Sequence, residues 1–403
     1  MPLEEALAIF HGGRVVVEYS AAGRAQLEAA IDALKVALCV PDSLDETRES
    51  EVNAFLVAWD QRDLTVKLSQ GYLTLGVIFA KGEDGEADAY RKGKHWGLKS
   101  LRMDSDFAAV ERRDGFLDAV AQEMDVPSLY WAGMNWLSLA NFDRLAAVSS
   151  GVVKKTIAML ERVLELDETY DCYGAYRVLG SIWGALPWLP FGTYRRDLER
   201  ARTYLCRVVD DLQLCGDLPP WPVDPACTEY LGNRRVLAEF YLMEKGLWAD
   251  AAQVLQSILA APIGDAYPLF NANAQADARR LLEDVRGHLS GKWASLSLEA
   301  GEPLRGSPPA ARSAAIVLAD LAERSTRTTT RSTTTRASSL LPCLIGTSQS
   351  ETRANGQAAS ERWSRHSTFV PGSTALYTTA DSRLLRSSCR RPFDSYSTAS
   401  DSR

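Results

Sequence analysis

The sequence predicts an all-α protein, a stack of helical hairpins (an α-solenoid) followed by a disordered C-terminal tail. Three observations carry this reading. Apolar residues recur at helical spacing, as with Val153, Ile157, Leu160 and Leu164 at i, i+4, i+7 and i+11. Small and large residues keep register inside such stretches, as in Tyr176-x2-Leu179-Gly180-x2-Trp183 and Leu242-x3-Gly246-x-Trp248-x2-Ala251-x3-Leu255-x2-Ile258. From about residue 290 the period stops. Ser, Thr and Arg then dominate, and apolar burial cannot offset the entropy of ordering the chain.

In chain order, 1–22 is an N-terminal segment, 23–290 the helical-repeat domain and 291–403 the tail. A helix over 23–40 carries Ala30-x3-Leu34-x2-Ala37 and stops at Pro41. Residues 45–80 form one or two helices, with an apolar run over 73–80 before the turn at Gly82-Glu-Asp-Gly85. A helix over 87–101 alternates large and small residues through Tyr90, Gly93, Gly97 and Leu101. A short one over 113–124 is stopped by Pro127. The stretch 129–142 holds Tyr130, Trp131 and Trp136, the densest aromatic patch.

Ser149 or Ser150 is the expected N-cap of the next helix, which closes at Leu166-Asp-Glu-Thr-Tyr170. The hairpin at 176–212 follows. Its first helix bears the glycine-centred pattern. Its second, from Tyr194, places Tyr194, Leu198, Ala201, Leu205, Val208 and Leu212 on one stripe. Between them Leu186-Pro-Trp-Leu-Pro-Phe191 cannot be helical, because proline lacks the amide donor. Pro219 to Pro225 reads as an extended connection, and a last helix spans 271–289. The small-and-large register is tetratricopeptide-like. The landmarks Thr156, Ala201 and Ala251 are spaced wider than the usual ~34 residues, so the units are degenerate.

Charge limits the partners. Lysine ends at Lys292, and 294–403 holds 14 Arg against 9 Asp plus Glu, leaving a net charge of −12 on the body before it. An acidic body does not neutralise phosphates, so nucleic acid is not expected as a partner. No signal peptide is legible, since Glu4 and Glu5 stand where basic residues belong. Neither of the longest uncharged stretches reaches the ~20 apolar residues of a bilayer span. Seven cysteines form no CxxC pair, and their odd number argues against a disulfide scaffold. Cys39 and Cys206 read as small core residues.

No catalytic chemistry is legible. His11, His95, His288 and His366 are scattered, Gly291-Lys292 lacks phosphate-loop spacing, and no Ser or Cys sits in a nucleophile motif. The expectation is a non-enzyme with no cofactor and no metal. The Tyr130, Trp131 and Trp136 patch has two readings, hairpin core or the wall of an apolar groove on a concave repeat surface. Trp183 belongs with them as a candidate. Trp188 and Phe191, on a proline-bounded loop, either tuck onto the hairpin or dock a partner.

Six stretches in order resemble one family. They are Gly71-Tyr72 through Phe79, Ala89-Tyr90-Arg91-Lys92-Gly93 through Leu101, and Leu129-Tyr130-Trp131 through Trp136. Then come Leu164 to Tyr170, Tyr176 to Pro187, and Leu269-Phe-Asn-Ala-Asn-Ala-Gln-Ala-Asp-Ala-Arg-Arg-Leu-Leu282. Together these resemble the T component of tripartite ATP-independent periplasmic (TRAP) transporters, over roughly 25–290. The resemblance implies a helical periplasmic protein that forms a trimer, docks a solute-binding protein and holds a hydrophobic ligand. The alternative, consistent with the missing signal, is a generic intracellular helical-repeat adaptor.

Overall fold

The computed structural model describes residues 1–291, apart from 12, 143, 188–193, 210–211 and 217–223. The loop carrying Trp188 and Phe191, the proline run from Pro219 and the Ser/Thr/Arg tail therefore lie outside the described residues. What is described is all-α, with a single two-residue hairpin, Phe10–His11 pairing antiparallel with Arg14–Val15.

Ten helices carry the architecture: α1 (Ala21–Ala37), α2 (Arg62–Thr74), α3 (Glu86–Arg102), α4 (Val126–Ala140), α5 (Val152–Leu166), α6 (Tyr170–Ala185), α7 (Leu198–Leu205), α8 (Leu231–Leu237), α9 (Trp248–Ala260) and α10 (Pro268–Leu289); two further short ones, Ser105–Arg113 and Phe116–Gln122, lie between α3 and α4. Most pack mainly on a sequence neighbour: α2 on α3, α3 on α4, α4 on α5, α6 on α7, α9 on α10. Such local pairing follows from amphipathic stripes joined by short turns, because each helix buries its apolar face against the next one made.

The caps explain most boundaries. Ser20 accepts the Gly23 amide at the start of α1, Asp125 that of Ser128 in α4, and Asp197 that of Arg200 in α7. Pro127 sits in the first turn of α4, where a missing N–H costs nothing, so this proline starts a helix as well as following one. Gly246 ends the turn before α9 in a left-handed conformation.

Several expectations are corrected. The helix after the long loop runs only over Leu198–Leu205, because Asp197 caps it late and a disulfide between Cys206 and Cys215 bends the chain directly after it. Tyr194 lies outside that helix. Neither Ser149 nor Ser150 caps α5. Both side chains donate back to the Ala146 carbonyl, and Gly151 leads into the helix instead. The cysteines pair across the fold without any CxxC motif: Cys172 joins Cys227, 55 residues on, and Cys206 joins Cys215. Cys206 is thus a buried bridge residue. Cys39 is exposed at the end of α1 with a φ of 57°, rather than in the core.

Two helices change pitch where they meet the interior. α2 continues as a π-helical turn over Leu75–Phe79, and α8 as another over Ala238–Leu242. Insertions of this kind shift side-chain register by one residue and recur at functional sites.

A satisfied polar knot fixes the loop after α1. Glu46 is buried, and its carboxylate accepts Tyr72 Oη at 2.8 Å and Trp96 Nε1 at 2.7 Å, with Lys35 Nζ 2.9 Å away. His95 Nδ1 lies 2.9 Å from the Glu46 carbonyl, and Lys99 donates to the carbonyls of Asn53 and Phe55. A buried carboxylate with three partners is tolerable, whereas an unpaired one is not.

Candidate functional site

Non-adjacent helices face a common cavity of about 410 Å³, lined by residues from Leu73 in α2 to Ala274 in α10. Both π-helical turns reach it, through Val77 and Phe240. Its size lies within the ~300–1,000 Å³ usual for small-molecule sites. Trp131, Met134, Leu137, Val178 and Val236 make the walls mostly apolar. Near the solvent side stand Asn141 and Phe142, both exposed.

The inner end is polar and strained. Asp171, Cys172 and Tyr173 at the start of α6 have φ values of 50°, 49° and 61°. The left-handed region costs a non-glycine residue roughly 1–2 kcal/mol, so three in succession must be held from outside. Four restraints are visible. Arg177 Nη1 donates to the Asp171 and Cys172 carbonyls, each at 3.2 Å, and to Asn233 Oδ1 at 2.9 Å. Cys172 is bridged to Cys227, and the Asp224 amide donates to Tyr173 Oη at 3.0 Å. Finally, Arg177 Nη2 and Tyr130 Oη both donate to Asp171 Oδ2 at 2.6 Å.

This arrangement neutralises itself. Burial pushes the Asp171 carboxyl above its ordinary range, against the opposing pull of Arg177 and Tyr130. Burial also raises the Tyr130 phenol, which stays protonated and donates. The Arg177 guanidinium lies 4.6 Å from the centroid of the Tyr230 ring, so its face is covered as well as its edges.

The aromatic candidates divide. Tyr130 and Trp131 line the cavity and are buried, packed edge-on to each other with centroids 4.8 Å apart. Trp131 Nε1 donates to Tyr170 Oη at 3.0 Å. These two are thus at once part of the packed interior and of the cavity wall. Trp136, on the same helix, lies away from the cavity. It meets Phe116 edge-on, with Lys94 and Lys155 ammonium groups 5.3 and 5.2 Å from its ring. Trp183 is buried beside α7 under the Arg200 guanidinium, 4.0 Å from its ring, and does not line the cavity. Trp188 and Phe191 lie outside the described residues.

Sequence reasoning missed Asp171, Arg177, Tyr230 and the π-helical turns. One signal was available, since Arg177 stands inside the apolar register Tyr176-x2-Leu179-Gly180 and ought to have needed a buried partner. A second concavity beside α7, lined by Tyr176, Arg200, Tyr204 and Arg207 among others, is open and mostly charged, and brings together none of the sequence-predicted aromatics.

Fold and cavity define a class: an all-helical protein whose packed hairpins wall an apolar chamber closed at one end by a self-neutralised polar turn. A family model, the TRAP transporter T-component, matches residues 53–212 of the chain. The matched segment includes α2 to α7, and with them Tyr130, Trp131, Asp171 and Arg177. No curated protein matches the chain. Among the described residues no helix is long and apolar enough to cross a membrane, and no group of His, Cys, Asp and Glu is placed to hold a metal ion.

Proposed function

We propose that this protein is a non-catalytic accessory of a TRAP transporter that docks a solute-binding protein and holds an apolar small ligand in its central cavity. The observation that carries the reading is the cavity itself, which falls largely within the family-matched segment and is walled by Tyr130 and Trp131. The match of residues 53–212 to the TRAP T-component model supports the transporter association. On sequence grounds the loop with Trp188 and Phe191 is assigned to partner docking, and the trimer is carried over from the family resemblance. The test is isothermal titration of the full chain with the solute-binding protein encoded beside it. Saturable binding is expected, and its absence with a well-folded sample overturns the docking part.

The compartment proposed is the periplasm. Disulfides persist in oxidising compartments and are rare in the bacterial cytosol, so the Cys172–Cys227 and Cys206–Cys215 pairs favour it over the intracellular adaptor reading. Thiol titration of protein taken from its native host checks this. Free thiols at all four positions would restore the adaptor reading.

A further inference from the structure

The charged side chains on the cavity lining bear on which head group an apolar ligand there could carry. Four acidic or basic side chains line it: Glu86, Asp171, Arg177 and Arg235. Each is already engaged within the protein. Glu86 accepts the Gly82 amide at 2.7 Å and Tyr90 Oη at 3.0 Å. Asp171 and Arg177 pair with each other at 2.6 Å. Arg235 is bonded to Glu239 and stands 3.8 Å from Asp277.

An anionic head group would have to win an arginine from a carboxylate that is itself buried or half-buried. That would strand the displaced carboxylate, and an uncompensated buried charge is strongly unfavourable. A cationic head group meets the same obstacle with signs reversed. By contrast, three neutral hydrogen-bonding side chains on the lining, Ser138, Asn141 and Asn273, make no side-chain hydrogen bond among the described residues. Asn141 is exposed and the other two are half-buried, so they sit toward solvent from the apolar walls.

Building on the apolar-ligand reading above, we propose that the cavity selects acyl or alkyl chains with an uncharged, hydroxyl-bearing head group, and rejects free fatty acids. The chain lies against Trp131, Val178 and Phe240. The head group meets the amides and hydroxyl of Asn141, Asn273 and Ser138.

The test uses the full disulfide-bonded chain and displacement of the neutral fluorophore N-phenyl-1-naphthylamine at pH 8. Monolauroylglycerol, laurate and dodecyltrimethylammonium compete with it. The expected result is displacement by monolauroylglycerol at concentrations at least about tenfold below either charged chain, a gap of roughly 1.4 kcal/mol. Asp171→Asn leaves Arg177 uncompensated, and is expected to narrow the gap between laurate and monolauroylglycerol, whatever it does to the affinity of both. Laurate binding as tightly as monolauroylglycerol to the unmodified chain overturns the selectivity while leaving an apolar site in place. If neither the fluorophore nor any chain binds, the apolar-ligand reading itself falls, and this inference with it. The comparison on the unmodified chain decides the matter even if Asp171→Asn fails to fold.

Discussion

Gly180 shows how much one position in the hairpin register decides. A methyl group there would stand 2.5 Å from Leu205 Cγ and 3.2 Å from the Ala201 carbonyl oxygen, so α6 and α7 touch through this residue. Gly180→Leu is expected to lose ~1–3 kcal/mol or more, the usual cost of overpacking, whereas Gly180→Ala, which must still displace the buried Leu205, adds fewer atoms and loses less. Urea denaturation of the pair measures this. Equal midpoints for both variants and the parent would mean the two helices separate freely. His95 offers a second residue-scale test. Burial lowers its pKa below the ordinary imidazole value, so the folded state holds it neutral while the unfolded chain takes up a proton near pH 6.5. Below that pH the unfolded state binds more protons, so stability falls as pH falls, by up to about 1.4 kcal/mol per pH unit. Glu49, held down to about 2 by Arg102 and Lys94 despite its burial, adds a separate loss that begins only below about 4.5. His95→Gln is therefore expected to flatten the stability profile between pH 7 and 5 and leave the acid limb intact. A slope unchanged in the variant would place the proton uptake elsewhere.

The strained start of α6 is the element on which the cavity depends. Arg177 braces it through two backbone carbonyls, Asn233 and Asp171 at once, a forked geometry that an ammonium group cannot reproduce. Arg177→Lys is expected to lose about 3–5 kcal/mol, as when a buried pair is broken, and to change the near-ultraviolet circular dichroism of Tyr130 and Trp131. Full stability in that variant would show that the disulfide to Cys227 and the Asp224 bond suffice to hold the turn. Elements like this mark where sequence reading stops. Helices α1, α3, α9 and α10 were legible because their stripes have period 3.6, and α1, α9 and α10 stop shortly before a proline or glycine. The left-handed residues Asp171, Cys172 and Tyr173 were not. Nothing local favours that conformation, which exists only because residues 55 and 56 positions further on, Cys227 and Asn233, reach back to hold Cys172 and Arg177. The π-helical turns were hidden likewise, since an extra residue per turn leaves apolar runs such as 73–80 looking continuous. Tyr130 and Trp131 stand out in the sequence because aromatic density is visible in one dimension. That Trp136 faces two lysines instead of the cavity is a rotation around α4 that only packing sets.

At the scale of the whole described fold, the stack closes on itself rather than ending in two free faces. Arg14 Nη1 donates to the Ala266 carbonyl at 3.0 Å, with its guanidinium 5.0 Å from the Tyr267 ring centroid, 252 residues away along the chain. Lys81 pairs with Asp277 at 2.6 Å, and Leu269 of α10 is buried in the cluster built by the N-terminal segment and α1. Gly13, at the tip of the small hairpin, leaves room for Asp171, since a methyl group there would meet its carboxylate at 2.6 Å. The N-terminal segment thus covers the strained turn and joins first helices to last. Removing residues 1–17 would strip Ala6, Ile9, Phe10, Val15 and Val17 from the core. At ~1.5–3 kcal/mol for each large apolar side chain, that approaches the whole stability of a typical domain. Hydrogen exchange separates closure from simple loss of core. If the segment is a clasp, Arg14→Ala combined with Lys81→Ala, which removes no core side chain, raises amide exchange in α10 while α4 and α5 stay protected. Faster exchange confined to the N-terminal hairpin, with α10 unchanged, would mean that the last hairpin holds its place without the first.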